Sequence, residues 1–441
     1  MKSNSIWLAI VFLFGIHIVQ AQQKTTLSIK DAVTMALEKS DAVSLAETKA
    51  TTKSYELQSV KNNQYPDVKL SGQYLRLTNA NVNQQTQSST SATESKPINQ
   101  LLIGQANMTL PLFSGFKLKN NIAASENLYH SEMANAEYSK EETAFKVIEY
   151  YAALYKAQKT VALLKESIKS SQQRVTDFTS LEQNGLIARN DLLKSQLQLS
   201  KIQLSLDEAE KNVKVINAYL IALLKLPAET QIEVSPSNID PNLFSNIPKS
   251  ESDAISSRND LKSIEFLHKA SESGIKIARS GYYPSLSLTA GYIALDLQNV
   301  VTVQNAMNVG VGFSYNLSSL FKNGTEVKVA KSKALEVEKQ QAELTDAIKL
   351  QILSAREEYE LSVKQDKVYA QSVEQATENY RIVKDKYDNG LSNTNDLLEA
   401  DVDQLSSKIN QANAKANVAL KYYELLKTSG QLLDTFNSSK N

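Results

Sequence analysis

Asn184-Gly185-Leu186-Ile187-Ala188-Arg189-Asn190-Asp191-Leu192-Leu193 and Asn389-Gly390-Leu391-Ser392-Asn393-Thr394-Asn395-Asp396-Leu397-Leu398 are two versions of one pattern: N-G-L, four variable residues, D-L-L. Each follows a long helix-compatible run free of Gly and Pro. Glycine takes the left-handed conformation that ends a helix, and Asp or Asn caps the next one, so both stretches read as tight helix-to-helix reversals. The chain therefore turns back on itself twice in the same way, which predicts two copies of one helical hairpin.

Working outward from the first turn, the preceding run reaches back to Phe116, about 68 residues, or about 100 Å of helix at 1.5 Å per residue. The return run, Asp191 to Leu226, carries a heptad with Leu192, Leu199, Leu206, Val213 and Leu220 at one seam position and Ile202, Ala209, Ile216 and Leu223 at the other, the pattern of coiled-coil packing. Before the long run, Ser28 to Asn63 reads as one helix ending at Tyr65-Pro66. The period then changes to two: Val68, Leu70 and Tyr74 oppose Asp67, Lys69, Ser71 and Gln73. A Ser/Thr/Asn/Gln-rich tract over 79–100 separates this strand from a second one, Leu102 to Leu112.

The same order returns after a stretch that holds half of the chain's prolines. Ser250 to Ser280 reads as a helix, Gly281-Tyr282-Tyr283-Pro284 echoes Gln64-Tyr65-Pro66, and Ser285 to Leu295 alternates. Met307, Val309, Val311, Phe313, Tyr315 and Leu317 then oppose Asn308, Gly310, Gly312, Ser314 and Asn316. Pro66 and Pro284 lie 218 positions apart, but Gly185 and Gly390 only 205, so the first copy carries an insertion, assigned to its polar loop. The expected organisation is a signal peptide 1–21; a first repeat 22–226 with strand hairpin 67–112 and tip 184–191; a Pro-rich linker 227–249; a second repeat 250–428 with strand hairpin 285–317 and tip 389–396; and a tail 429–441.

Composition narrows the function classes. The chain has 441 residues, no Cys, and 48 basic against 48 acidic residues, which argues against thiolate metal sites, disulfide scaffolds and nucleic-acid binding. Lys2, the apolar run Ile6 to Val19 and Val19-Gln20-Ala21 form an export signal, giving a mature start near Gln22. His130 and His268 stand on separate helices without ligand-spaced neighbours, and no nucleophile elbow, phosphate loop or H-E-x-x-H is present. The reading is no enzyme, no cofactor and no metal.

Four strands of about ten residues, apolar on one face and polar on the other, suit a membrane β-barrel. Tyr65, Tyr74, Tyr282, Tyr283, Phe113, Phe116 and Phe321 cluster at strand ends, as an interfacial aromatic girdle would. Four strands cannot close a barrel, so the membrane reading requires several copies. Two would give eight strands and three twelve, and the larger assembly leaves an open pore. The alternative is a soluble periplasmic coiled-coil adaptor or structural protein, which has no need of such strands.

Duplication, Tyr-Pro before each strand hairpin, Leu110-Pro111-Leu112-Phe113-Ser114-Gly115 after the second strand, and the two tips together resemble TolC-type outer-membrane efflux channels across essentially the whole mature chain. The resemblance implies an α plus membrane β-barrel fold: a homotrimer with a twelve-stranded barrel in outer-membrane lipid and a twelve-helix periplasmic tunnel. It also implies partners, namely a periplasmic adaptor (membrane fusion) protein and an inner-membrane transporter, in a tripartite efflux or type I secretion complex that exports small molecules or proteins. Gly185, Leu186, Gly390 and Leu391 match adaptor-docking tip positions. Asp396 and Glu399 match acidic rings of the closed entrance, and Tyr387 and Asp191 match contacts that hold it shut. Asp396, Glu399 and Asp403 share one helix face by spacing, which on a three-fold axis would attract cations. One departure stands out: Ser392 occupies the place of a basic lock residue, with Arg189 as a candidate substitute.

Overall fold

The computed structural model describes residues 24–80, 98–235 and 251–437. The expected signal segment, most of the polar loop and the later part of the Pro-rich linker lie outside them. Six strands alternate with nine helices among the described residues: β1 (Lys24–Leu27), α1 (Ile29–Lys39), α2 (Asp41–Asn62), β2 (Asp67–Ala80), β3 (Ile98–Ser114), α3 (Lys117–Gln183), α4 (Arg189–Leu224), β4 (Gln231–Val234), α5 (Glu251–Ser257), α6 (Asn259–Ser280), β5 (Ser285–Leu297), β6 (Val301–Ser314), α7 (Ser319–Asp388), α8 (Thr394–Thr428) and α9 (Leu432–Asn437). Helices α3 and α7, of 67 and 70 residues, each extend about 100 Å. No described helix is long and apolar enough to cross a membrane. The chain divides into two compact units.

One unit comprises the described parts of Met1–Ala46, Glu137–Asn259 and Thr345–Asn441. Its core gathers Val33 of α1, Ile148, Tyr151 and Leu154 of α3, Leu220 and Leu224 of α4, Ile232 of β4, Leu425 of α8 and Leu432 of α9, all fully buried. β1 and β4 pair in parallel, and the Tyr151 hydroxyl donates to the Leu27 carbonyl at 2.8 Å. The outer edge of β4 is satisfied by two side-chain amides. Asn217 of α4 donates to Thr230 O and accepts from Ile232 N, while Gln158 of α3 donates to Ile232 O and accepts from Val234 N. A strand edge that would otherwise need another strand is thus tied to the helix pair. Replacing Asn217 by Ala strands one backbone donor and one acceptor, and is expected to destabilise this unit by about 1–3 kcal/mol, measured as a lower midpoint of urea unfolding.

This unit corrects several sequence expectations. The helix expected over Ser28 to Asn63 breaks at Ser40, whose backbone is extended; its N–H closes α1 on Ala36 O and its Oγ accepts from Ala42 N at 3.2 Å to open α2. The helix expected from Ser250 divides between Ser257 and Asn259, where Arg258 turns inward and donates to Thr428 O at 3.1 Å. The early part of the Pro-rich linker holds β4. The expected tail turns at Gly430 and docks α9 into the core through Leu432.

The other unit, Glu47–Ala136 with Asp260–Leu344, holds a four-stranded antiparallel sheet in the order β2-β3-β5-β6. Cross-strand pairs align the two faces. Val68 sits opposite Met108, Met108 opposite Ala290 and Ala290 opposite Val309, whereas Lys69 pairs Asn107, Asn107 pairs Gly291 and Gly291 pairs Asn308. The apolar face is open: Val68, Leu70, Tyr74, Leu102, Met307, Val309, Val311 and Phe313 are each more than half exposed. A bulge at Leu112 brings Phe113 opposite Leu286 and so keeps it on that face. The strands run 13 to 17 residues, longer than expected. Residues 296–306, between the two alternating runs, extend β5 and β6 around a tight turn at Gln298–Val300, with Asn299 left-handed and Thr302 Oγ1 donating to Asp296 at 2.6 Å. Tyr315 and Leu317 fall beyond the strand.

At the joint between strands and helices, the Phe113 and Phe116 rings meet edge to face at 5.3 Å, and Phe116 meets Tyr283 at 6.3 Å. Phe321 is 90% exposed. The His130 ring lies 5.2 Å from the Phe266 ring, centroid to centroid.

Candidate functional site

Both reversals close in the same way. Gly185 (φ 72°) donates to Glu182 O and Leu186 to Leu181 O; Gly390 (φ 74°) donates to Tyr387 O and Leu391 to Lys386 O. These are Schellman-type ends, which require the left-handed residue at the glycine. Asn184 and Asn389 add equivalent side-chain bonds to Ser180 O and Asp385 O. The reversal leaves Leu186 70% and Leu391 78% exposed, two apolar side chains held out on rigid turns.

The helices after the turns begin differently. Asn393 caps α8 by accepting from Asn395 N and Asp396 N, and Asp396 Oδ2 accepts from both Ser392 Oγ and Asn393 Nδ2 at 3.0 Å. Ser392 therefore bonds to Asp396 within its own turn, a contact of different chemistry from a basic lock. Ala188 precedes α4 with no side-chain cap. Asp191 lies 3.9 Å from Lys194 of its own helix, and Arg189 reaches Glu182 at 3.8 Å across its own hairpin. Asp396, Glu399 and Asp403 are all exposed.

The two hairpins meet through an apolar cluster of Phe178, Leu192 and Leu397, with Tyr380, Val383 and Tyr387 packed against it. Tyr387 stacks on Phe178 of α3 at 5.8 Å. Above this cluster lies a pair that the pattern reading missed. Arg174 of α3 donates through Nη1 to Asp401 Oδ2 of α8 at 2.9 Å and through Nη2 to the Tyr380 hydroxyl of α7 at 3.4 Å. Arg174 and Asp401 are only 8% and 9% exposed. Burial alone would push the guanidinium down, but the hydrogen bond and charge of Asp401 outweigh it and hold Arg174 above its ordinary value. The available signal was positional: each residue stands eleven positions from its tip glycine, and Asp401 interrupts the apolar seam of Leu397, Ala400 and Leu405.

The outer membrane efflux protein family matches residues 32–224 and 251–431. Outer membrane efflux protein BepC of Brucella suis biovar 1 (strain 1330) is 20% identical over 324 residues, 73% of this chain and 70% of that protein. Among solved structures, the outer membrane protein VceC from Vibrio cholerae superposes with a TM-score of 0.78 at 15% identity, covering 91% of this chain and 96% of that one. The Campylobacter jejuni CmeC outer membrane channel gives 0.79 at 17%, covering 94% and 90%. The Neisseria gonorrhoeae MtrE outer membrane channel, in its open state, gives 0.74 at 16%, covering 92% and 89%.

Proposed function

The chain belongs to the outer membrane efflux protein family, and from that premise we propose how its parts serve an outer-membrane efflux duct: as a passive homotrimer energised through a periplasmic adaptor and an inner-membrane pump. The observation that carries this reading is the sheet. It has two unpaired edges, β2 and β6, and a continuous exposed apolar face, a combination that costs free energy in water and is relieved when copies close edge to edge in lipid. Three copies give twelve strands, with the polar face of Lys69, Asn107, Asn308 and their neighbours lining a water-filled lumen.

The tips form the periplasmic end. Leu186 and Leu391, exposed on turns fixed by Gly185 and Gly390, offer an apolar contact to the adaptor. Asp396 and Glu399 ring the entrance, while Tyr387 and Asp191 belong to the contacts that close it. Conduction needs no bond chemistry, so the chain acts as a conduit rather than an enzyme, and selection of cargo falls to the pump and adaptor. Residues 1–21 direct export of the chain, and the two repeats on either side of the 227–249 linker build equivalent hairpins.

Fractionation and mass test the assembly. The protein is expected in the outer-membrane fraction, extracted only by detergent, with a light-scattering mass of three chains; recovery as a soluble periplasmic monomer would overturn the reading. Neutralising the entrance, Asp396→Asn with Glu399→Gln, is expected to weaken block of K⁺ current by divalent cations at least about tenfold, the equivalent of about 1.4 kcal/mol of lost cation binding. Unchanged block would place these carboxylates away from the conduction path.

A further inference from the structure

The joint between sheet and helices has two sides, and the sheet tells them apart. Ser114 and Ser285 sit opposite each other on the polar face of β3 and β5, one position from Phe113 and Leu286 on the apolar face. A groove at the joint is lined by both serines together with Lys117 of α3, Ile277 of α6, and Asn323 and Lys333 of α7, but by neither Phe113 nor Leu286. The groove therefore marks the polar side, and the helix faces turned away from it continue the apolar side.

Those outward faces are basic. At about 100° per residue, Lys119 of α3, Lys276 and Arg279 of α6, and Lys328 and Lys331 of α7 lie between roughly 130° and 170° around their helices from the groove-lining residues. All five are exposed, and among the described residues none is drawn into an ion pair. On each helix they come nearer the sheet than the first acidic residue of the same face: Glu126, Glu272 and Glu338 stand about one to two turns further away. In a chain with 48 basic and 48 acidic residues, this is a local excess of one sign.

Aromatic rings separate these cations from the apolar face. Phe116, 56% exposed, meets the ring of Phe113, and Phe321, 90% exposed, shares the outward side of α7 with Lys328. Apolar sheet, aromatic ring, cation and then carboxylate is the order that matches hydrocarbon, interface and phosphate, with the acids beyond the lipid.

Resting on the reading that the sheet closes as a barrel in lipid, we propose that Lys119, Lys276, Arg279, Lys328 and Lys331 form a collar that binds anionic phospholipid headgroups of the periplasmic leaflet. Zwitterionic headgroups carry their own ammonium beside the phosphate and gain less from a lysine. Repeated around three copies, the collar enriches anionic lipid at the foot of the barrel. The carboxylates below it oppose deeper immersion, so the charge order also fixes the height of the duct in the membrane.

The test uses the full trimer in phosphatidylcholine vesicles carrying a trace of spin-labelled phosphatidylglycerol or, separately, spin-labelled phosphatidylcholine. The motionally restricted part of each spectrum reads association with the protein. The glycerol lipid is expected to be favoured at least about twofold at about 50 mM salt, and the preference to vanish by about 500 mM. Replacing all five collar residues by Gln is expected to abolish the preference, whereas Lys117→Gln with Lys333→Gln, on the groove side, leaves it in place. Equal association of both labels at low salt, a preference that salt does not weaken, or a loss confined to the groove-side variant would overturn the collar alone. The salt series is read on the unaltered protein, so it decides the matter even if the fivefold variant fails to assemble. A spectrum without any restricted lipid of either kind would overturn the barrel reading and the collar with it.

Discussion

Gly115→Val is expected to remove assembled protein from the outer membrane. Gly115 follows β3, sits at φ 60°, and is itself followed by Phe116 at φ 65°, so the chain enters α3 through two left-handed residues. A Cβ here would lie 2.7 Å from Ser280 O and 2.8 Å from Tyr283 Cβ, which belong to the matching helix-to-strand joint of the second repeat. Neither neighbour is the far end of a flexible side chain, so the backbone itself must move. Conformational strain alone costs about 1–3 kcal/mol, and the collision with fixed atoms adds to it. Gly185→Ala supplies the control. Its φ of 72° is equally left-handed, but nothing lies within 4 Å of the added carbon. The expected cost there is only about 1–2 kcal/mol, with normal amounts of trimer in membrane fractions. Equal loss in both variants would mean that the joint tolerates side chains and that backbone conformation alone matters.

Asp401→Ala is expected to destabilise the helical unit by about 3–5 kcal/mol, because it leaves the Arg174 guanidinium buried without its carboxylate. The double replacement Arg174→Met with Asp401→Leu removes both charges and refills the space with apolar volume. It is expected to recover most of that loss, since a buried ion pair returns little more than its own desolvation cost. Thermal unfolding followed by circular dichroism on the wild type and both variants measures the difference. If Asp401→Ala unfolds as the wild type does, the pair is solvated and ties nothing together.

Strongly periodic features were legible in the residues. The period-two run from Met307 to Phe313 and the heptad through Leu192, Leu199 and Ile202 report their own environments, because burial or exposure repeats along each element. The tip turns were legible because a left-handed residue after a long helix has few alternatives to Gly. Features fixed by distant partners were not. β1 and β4 are four residues each, too short for a period, and exist because Gln158, Asn217 and Tyr151 meet their backbone groups. The turn at Gln298–Val300 was hidden because Asp296, Thr302 and Asn305 look like loop residues, although Asp296 and Thr302 bond to one another across the hairpin. Arg174 and Asp401 each look like a surface charge, and only their juxtaposition 227 residues apart makes them a tie.

The central claim is that the open sheet meets lipid on one face and water on the other as part of a closed barrel. Spin labels placed singly at each position from Met307 to Phe313, in protein reconstituted into lipid vesicles, test it directly. Accessibility to oxygen is expected to peak at 307, 309, 311 and 313, and accessibility to a water-soluble nickel complex at 308, 310 and 312. Uniform access to the nickel complex along the strand would contradict the account.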